Sequence, residues 1–223
     1  FFGSASLDAL VAQAIAQNMT LQGAEASLRR SQDTLMAGYG VFYPHLDAHL
    51  GASRERSAPI QQGLTTAGSI FNVMTLSGTI SYTLDVFGGE RRAVEGLQAQ
   101  VDQQNWLTQA TYLTLTANVV NTAIARAAYA AQIEATQQLI ELQKQQLQST
   151  EAQVRSGTQP YSASLSVKSL IASNEALLPA LKQKISQAEH LLATLEGMTP
   201  SQAVLPDMAL TGLSLPKDLP VSL

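Results

Sequence analysis

The chain has 223 residues, and its 13 Lys and Arg against 17 Asp and Glu give a formal net charge of −4. This acidic balance argues against a nucleic-acid partner, because nucleic-acid-binding domains carry a basic patch. The sequence contains no cysteine, which excludes disulfides, thiol catalysis and cysteine-ligated metals within it. Aromatic residues make up only 5% and charged residues 13%, a composition that suits long helices packed closely through small side chains.

Two helices are predicted at the beginning of the chain, and they form the first predicted region, residues 1–41. The first runs from Ser6 to Gln17, with Ser6 as its N-cap. One of its faces is apolar and comprises Leu7, Leu10, Val11, Ala14 and Ile15. Asn18 interrupts this helix. The second runs from about Thr20 to Tyr39 and ends where Gly38, Gly40 and Pro44 change the structure.

Residues 42–88 are predicted to form a β-hairpin, because apolar and polar side chains alternate in two segments. The first strand alternates at Leu46, Ala48, Leu50 and Ala52. The second, Asn72 to Val86, has an apolar face and a face made almost wholly of Thr and Ser. A soluble sheet could alternate in this way, and so could transmembrane strands of about 9–11 residues with flanking aromatics. The polar connection Arg54 to Ser69 reads as an exposed loop.

Residues 89–197 are predicted to form a long antiparallel helical hairpin. No proline occurs between Gly89 and Arg155, so 67 residues of helix would extend roughly 100 Å. Apolar residues recur every seven positions on both sides of a turn, which is typical of coiled-coil packing. They are Ile133, Ile140, Leu147 and Val154 before it, and Ile171, Leu178, Ile185 and Leu192 after it. Pro179 is expected to bend the return helix.

The turn itself, residues 154–159, is the strongest candidate for a functional site. It consists of Val154, Arg155, Ser156, Gly157, Thr158 and Gln159. Gly157 can adopt the positive φ that a tight reversal needs, and Thr158 is expected to cap the return helix. After Gly197, residues 198–223 are rich in proline and read as a linker.

Residues with catalytic or metal-binding chemistry are sparse. His45 and His49 would lie about 13 Å apart on a strand, too far to chelate one ion easily. Asp85, followed by Arg91 and Arg92, is open to three interpretations: a channel-facing carboxylate, a junction ion pair or simple solvation, the last slightly favoured. No phosphate loop, nucleophile elbow or run of 18 apolar residues occurs. We therefore expect no enzyme, no cofactor and no transmembrane helix.

Two motifs and the order of the elements carry a resemblance to a known family. The first motif, of the form Y-x-L-D-x-F-G-x-x-R, comprises Tyr82, Leu84, Asp85, Phe87, Gly88 and Arg91, with Arg92 following. The second closes the long hairpin and comprises Leu192, Leu195, Gly197 and Pro200. In this order the chain resembles the first structural repeat of a TolC-like outer-membrane factor.

The resemblance implies a fold and a function. Such proteins are trimers in the bacterial outer membrane, and each protomer contributes four strands to a β-barrel. Their helical hairpins extend into the periplasm, where the tips meet a periplasmic adaptor protein and, indirectly, an inner-membrane pump. They are passive exit ducts of tripartite efflux and type I secretion systems. The expected fold is therefore mainly α, with two transmembrane β-strands and a long helical hairpin. Because family members carry two repeats and this sequence carries one, we expect it to be part of a longer protein.

Two alternatives remain at this stage, both with a long helical hairpin. A periplasmic adaptor would flank its hairpin with soluble β-rich domains on both sides. A soluble coiled-coil scaffold would not need the alternation between Met74 and Val86. The resemblance assigns docking to the tip, residues 154–159, and the barrel–helix junction to the motif that begins at Tyr82.

Overall fold

The computed structural model describes residues 3–56, 68–203, 205–206 and 208–214, so most of the predicted loop and the end of the tail lie outside the described residues. The fold is mainly α with one two-stranded antiparallel sheet, as the sequence predicted. Its helices are α1 (Ala5–Gln17), α2 (Met19–Gly38), α3 (Gly89–Arg155), α4 (Tyr161–Glu175) and α5 (Leu177–Leu195), its strands β1 (His45–Arg56) and β2 (Ile70–Ser81), and its 3₁₀ turns Tyr39–Phe42 and Leu210–Gly212.

The chain divides into two compact units, and α3 contributes to both. Unit 1 is Phe1–Ala26 with Trp106–Leu223, and unit 2 is Ser27–Asn105. Unit 1 contains the apolar core, in which the predicted stripe of α1 packs against α3 and α5. The buried members are Leu7, Leu10, Ala14, Leu21, Leu115, Val119, Ala123 and Leu192. Leu205, Met208 and Leu213 of the tail also pack against this core, which anchors the irregular segment after α5.

The N-terminal cap of α1 is Ser4, not Ser6 as the sequence suggested. Ser4 has extended backbone angles (φ −112°, ψ 110°), and its side chain accepts a hydrogen bond from the backbone N–H of Leu7 at 3.4 Å. Ser6 lies inside the helix, because α1 begins at Ala5. An N-cap must have non-helical angles, so only Ser4 can fill this role.

The C-terminal end of the return helix (α4 and α5) contacts the C-terminal end of α1. We name this set of contacts the base joint (Leu195–Met198 with Gln17 and Asn18). The Asn18 side-chain amide donates to the Leu195 carbonyl at 2.9 Å. The oxygen of the Asn18 side-chain amide accepts a hydrogen bond from the backbone N–H of Leu21, in the first turn of α2. Gly197 has φ +71° and lies so close to the backbone of Gln17 that a Cβ there would collide with the Gln17 carbonyl oxygen.

The seam between α3 and α4 combines apolar and polar contacts. Ile140 and Ile171, both from the predicted seven-residue repeat, are buried. Between them in the seam, the Asn174 side-chain amide donates to the Gln143 side-chain oxygen at 3.0 Å, and Gln143 is only 6% exposed. Two cross-seam ion pairs accompany this amide pair, Lys144–Glu175 at 3.2 Å and Lys168–Glu151 at 2.8 Å.

The return helix is interrupted at Ala176, which separates α4 from α5. This agrees with the bend expected from Pro179. Proline has no N–H, so the Glu175 carbonyl four residues earlier loses its helical donor. The break therefore appears one turn before the proline.

The hairpin of unit 2 has a continuous register from His45↔Ser81 to Arg56↔Ile70. Even-numbered residues face even-numbered ones, so Leu46 lies opposite Ile80 and Leu50 opposite Leu76. The second strand ends at Ser81, and the prediction that it extends to Val86 was wrong. Strand β1 begins at His45, directly after Pro44, so the residues beyond Ser81 have no partner on β1.

The buried amide pair predicts an asymmetric response to mutation. Asn174→Ala should lower the free energy of unfolding by about 1–3 kcal/mol, because it leaves the buried Gln143 amide unsatisfied. Replacing both partners by Leu should recover most of this loss. Thermal unfolding followed by circular dichroism measures the effect, with the exposed Gln138→Ala as control. A double variant as unstable as Asn174→Ala would contradict the assignment.

Candidate functional site

The hairpin tip is closed by a glycine-centred helix C-terminus. Beyond Arg155, the last residue of α3, Gly157 adopts φ +77° as predicted. Its N–H donates to the Val154 carbonyl at 3.1 Å, and the N–H of Thr158 donates to the Gln153 carbonyl at 3.0 Å. These two bonds form a Schellman motif, which satisfies carbonyls that the helix end would leave free. The tip therefore holds a defined backbone shape.

The hydroxyl groups of the tip form hydrogen bonds to the end of α3, not to the start of α4. The Thr158 hydroxyl donates to the Gln153 carbonyl at 3.0 Å, and the Ser156 hydroxyl donates to the same oxygen at 2.9 Å. The N-cap of α4 is Pro160, without a side-chain cap, so the expectation that Thr158 caps the return helix was wrong. Thr158 lies two residues before Pro160, too early in the chain to fill the cap position.

An ion pair lies in the hairpin next to the tip. Glu151 and Lys168 pair across the hairpin. The hydrogen bond and the positive charge of Lys168 lower the pKa of Glu151, and the charge of Arg155 lowers it further. The same contact raises the pKa of Lys168. Arg155 and the residues from Ser156 to Gln159 are exposed, and Val154 is half-buried.

A groove of about 340 Å³ runs beside the tip between α3 and α4. It is lined by neutral side chains, most of which carry amide or hydroxyl groups: Gln146, Ser149, Thr150, Gln153, Gln159, Ala163 and Val167. Such a surface can donate and accept hydrogen bonds without a preference for either sign of charge. Of these residues, only Gln159 was predicted as part of the tip site; the others come from the last turns of α3 and the first turns of α4.

The predicted junction site begins after β2, and Asp85 is its centre. The Asp85 Oδ2 atom accepts a hydrogen bond from the backbone N–H of Arg91 at 3.0 Å, and the Arg91 Nε atom lies 4.0 Å from it. Burial raises the pKa of Asp85, but the backbone N–H groups of Arg91, Glu90 and Gly89, with the Arg91 charge, outweigh it, and the pKa is lowered. Asp85 therefore caps the first turn of α3, a role that the sequence did not predict. Its contact with Arg91 agrees with the junction ion pair, and the slightly favoured solvation was wrong, because the Asp85 side chain is only 13% exposed.

The other junction residues divide into two groups. Gly88 has φ +77° and its carbonyl accepts from the N–H of Arg92, so it belongs to the start of α3. Arg92 pairs with Glu95 on the next turn. The apolar members are exposed; they are Tyr82, Leu84 and Phe87. The motif thus combines a capped helix start with an exposed apolar rim.

The faces of the sheet differ sharply in chemistry. From Leu46 to Ala52 and from Met74 to Ile80 the even-numbered face is apolar and exposed: Leu46, Leu50, Met74, Leu76 and Ile80 are each 72–79% exposed. Closer to the loop, the same face carries Arg54, Arg56 and Asn72. The odd-numbered face carries His45, Asp47 and His49 opposite Ser81, Thr79 and Ser77.

Within the part of the chain that the structure describes, no group of three His, Cys, Asp or Glu side chains is placed to hold a metal ion. In the same described ranges, no helix is long and apolar enough to cross a membrane.

The fold matches that of solved outer-membrane channels. It superposes on the outer-membrane channel OprN with a TM-score of 0.86 at 23% identity, covering 98% of this chain and 48% of that one. The outer membrane protein VceC from Vibrio cholerae gives a TM-score of 0.82 at 19% identity, covering 96% of this chain and 52% of that one. At these identities the likeness concerns the fold.

The sequence identifies the family. The model of the outer membrane efflux protein family matches residues 10–198, so the chain belongs to that family. It is 26% identical over 207 residues to the pyoverdine export outer membrane protein OpmQ of Pseudomonas aeruginosa, covering 91% of this chain and 44% of that protein. It is 25% identical over 205 residues to nodulation protein T of Rhizobium leguminosarum, covering 92% of this chain and 41% of that protein. The chain thus spans less than half the length of these relatives.

These comparisons confirm the resemblance found in the sequence and the outer-membrane location that it implied. They do not support the periplasmic adaptor or the soluble scaffold, because the matching family is one of outer-membrane channels.

Glycine substitutions at the two helix ends test the backbone assignments. Gly157→Ala should lower the free energy of unfolding by about 1–2 kcal/mol, because it forces a side chain into a left-handed conformation in otherwise open space. Gly197→Ala should cost more, since it adds a collision with Gln17. Gly96→Ala, inside α3, should raise stability by roughly 0.5–1 kcal/mol. Equal losses at Gly157 and Gly197 in thermal unfolding would contradict the base-joint contact.

Proposed function

We propose that the chain forms part of a passive exit duct in the outer membrane, serving a tripartite efflux or type I secretion system. The observation that carries this proposal is the exposed apolar face of the β1–β2 hairpin. The chain's family membership supports it. The duct requires no catalytic group, because in such systems the energy for transport is supplied elsewhere.

The apolar face of the hairpin is suited to contact with lipid. Its large side chains lie on one side of the sheet because the register pairs even positions with even positions. Exposing this much apolar surface to water is unfavourable, at roughly 25 cal/mol for each Å². Outer-membrane lipid would cover this side, while the Thr- and Ser-rich side would face the water-filled lumen.

The sheet also needs further strands. Each strand of the described two-stranded sheet has one unpaired edge. Unpaired backbone N–H and C=O groups are costly in lipid, so such edges must be closed by other strands. Self-association would supply them, and in the family this takes the form of a trimer of two-repeat protomers.

A charge placed on the lipid face should block assembly in the membrane. Leu76→Arg is expected to cost about 2–4 kcal/mol if Leu76 lies near the bilayer midplane. The matched control is Ser77→Arg, one residue away on the opposite face. Membrane fractionation should show a marked loss of outer-membrane protein for Leu76→Arg only. Equal losses for the two variants would contradict lipid contact on the even face.

The tip, residues 154–159, is proposed to dock on a periplasmic adaptor, with an inner-membrane pump contacted only indirectly. Its backbone is fixed by the Schellman motif, so little conformational entropy would be lost on binding. Arg155 is exposed and offers a positive charge for an acidic group of the partner. The neutral groove beside it offers hydrogen-bonding groups along both helices.

Removal of the tip charge tests this docking. Arg155→Ala should weaken adaptor binding several-fold, and the loss should shrink at high salt because an exposed charge pair is screened. Lys182→Ala removes an exposed positive charge elsewhere on the return helix and should leave binding unchanged. Binding of purified adaptor by surface plasmon resonance, together with export in cells, gives the two readouts. Unchanged binding and export in Arg155→Ala would argue against the docking role of this residue.

A further inference from the structure

One carboxyl group in unit 1 is buried and has no hydrogen-bond partner within the described part of the chain. Glu196 is only 1% exposed, and both of its carboxyl oxygens are buried and unpartnered among the described residues. Burying an ionised carboxylate without a counter-ion or a hydrogen bond is strongly unfavourable, so such a group binds a proton instead. Burial raises the pKa of Glu196 accordingly.

Glu196 lies at the centre of the base joint. The residue before it, Leu195, accepts the hydrogen bond of Asn18. The residue after it, Gly197, packs directly on the backbone of Gln17. Met198 accepts a 3.7 Å contact from the Gln13 side-chain amide. The chain on both sides of Glu196 is therefore held against the end of α1.

Charged groups on the helices around the base joint do not offset the effect of burial on the pKa of Glu196. The charged residues nearest in sequence to the core residues of α1, α2, α3 and α5 are Asp8, Glu25, Arg126, and Glu189 with His190. Glu189 is paired with Arg126 at 3.1 Å. Asp8, Glu25 and His190 are exposed. Among the described residues, burial is the cause of the raised pKa of Glu196.

We propose that Glu196 is a proton-dependent latch of the base joint: its neutral form keeps the C-terminal end of the return helix closed on α1, and its ionised form opens this contact. The proposal concerns local conformation and does not depend on the export function. For a carboxyl group whose pKa is raised by folding, the stability that it contributes is present in full below its ordinary pKa. It is lost as the pH rises through the raised value. The closed joint is therefore the low-pH form.

The absence of cysteine from the sequence allows a direct probe of opening. Ala193→Cys places a thiol at a fully buried position of α5, three residues before Glu196. Ala152→Cys, at an exposed position of α3, reports the effect of pH on thiol reactivity alone. The ratio of their alkylation rates in protein purified in detergent is expected to rise roughly threefold or more between about pH 4, below the ordinary pKa of a glutamate, and about pH 8.

The carboxyl group of Glu196 is then removed in each of the two cysteine variants. Glu196→Gln keeps the shape and stays neutral, so the rise in the ratio should disappear. The control Glu141→Gln changes an exposed glutamate on α3 and should leave the rise intact. A ratio that is independent of pH in the parent, or that rises equally with Glu196→Gln, would overturn the proposal.

Thermal unfolding without any cysteine provides a second measurement, in case the probe itself disturbs the joint. Glu196→Gln should match the parent at low pH and exceed its melting temperature at high pH, because only the parent must ionise a buried group. A melting-temperature difference between the two proteins that stays constant across the pH range would overturn the latch. Glu196→Met, which is apolar and of similar length, repeats the comparison if the glutamine variant folds poorly.

Discussion

The antiparallel seam between α3 and the return helix is the constraint on which unit 1 depends. A long helix draws most of its stability from the packing of its apolar face, and here the seam provides that packing. The amide pair of the buried Gln143 and the half-buried Asn174 adds specificity, because a shifted alignment of the helices would leave both amides without this partner. The flanking ion pairs are half-exposed and contribute less. The position of the tip follows from this alignment, since the turn can close only where the two helices meet in register.

The features that the sequence predicted best are those set by backbone geometry alone. Seven-residue spacing identified Ile140 and Ile171 as seam residues, and both are buried. Gly157 was expected at positive φ because a tight reversal requires it. Pro179 was expected to disturb the return helix, and the interruption at Ala176 agrees. Alternation in the strands revealed one apolar face, and the register keeps that face intact.

The features that could not be predicted depend on contacts between residues that are not neighbours in the sequence. The end of β2 at Ser81 is decided by the start of the partner strand at His45. Asp85 caps α3 because the chain turns back at Gly88, and nothing in the local spacing states this. Nothing in the sequence pattern marks Glu196 as buried, yet it is only 1% exposed. The next residue, Gly197, lies against Gln17, a contact between segments far apart in the chain.

The even-with-even register of the hairpin limits how its length can change during evolution. Inserting one residue into either strand would transfer every side chain beyond that point to the other face, so that Thr and Ser would meet the surroundings of Leu and Ile. Inserting two residues into each strand preserves the faces and adds two residue pairs to the sheet. Strand length in homologous hairpins should therefore differ by even numbers, unless a β-bulge absorbs the odd residue. The connecting loop is free of this parity rule, and odd changes in length should accumulate there.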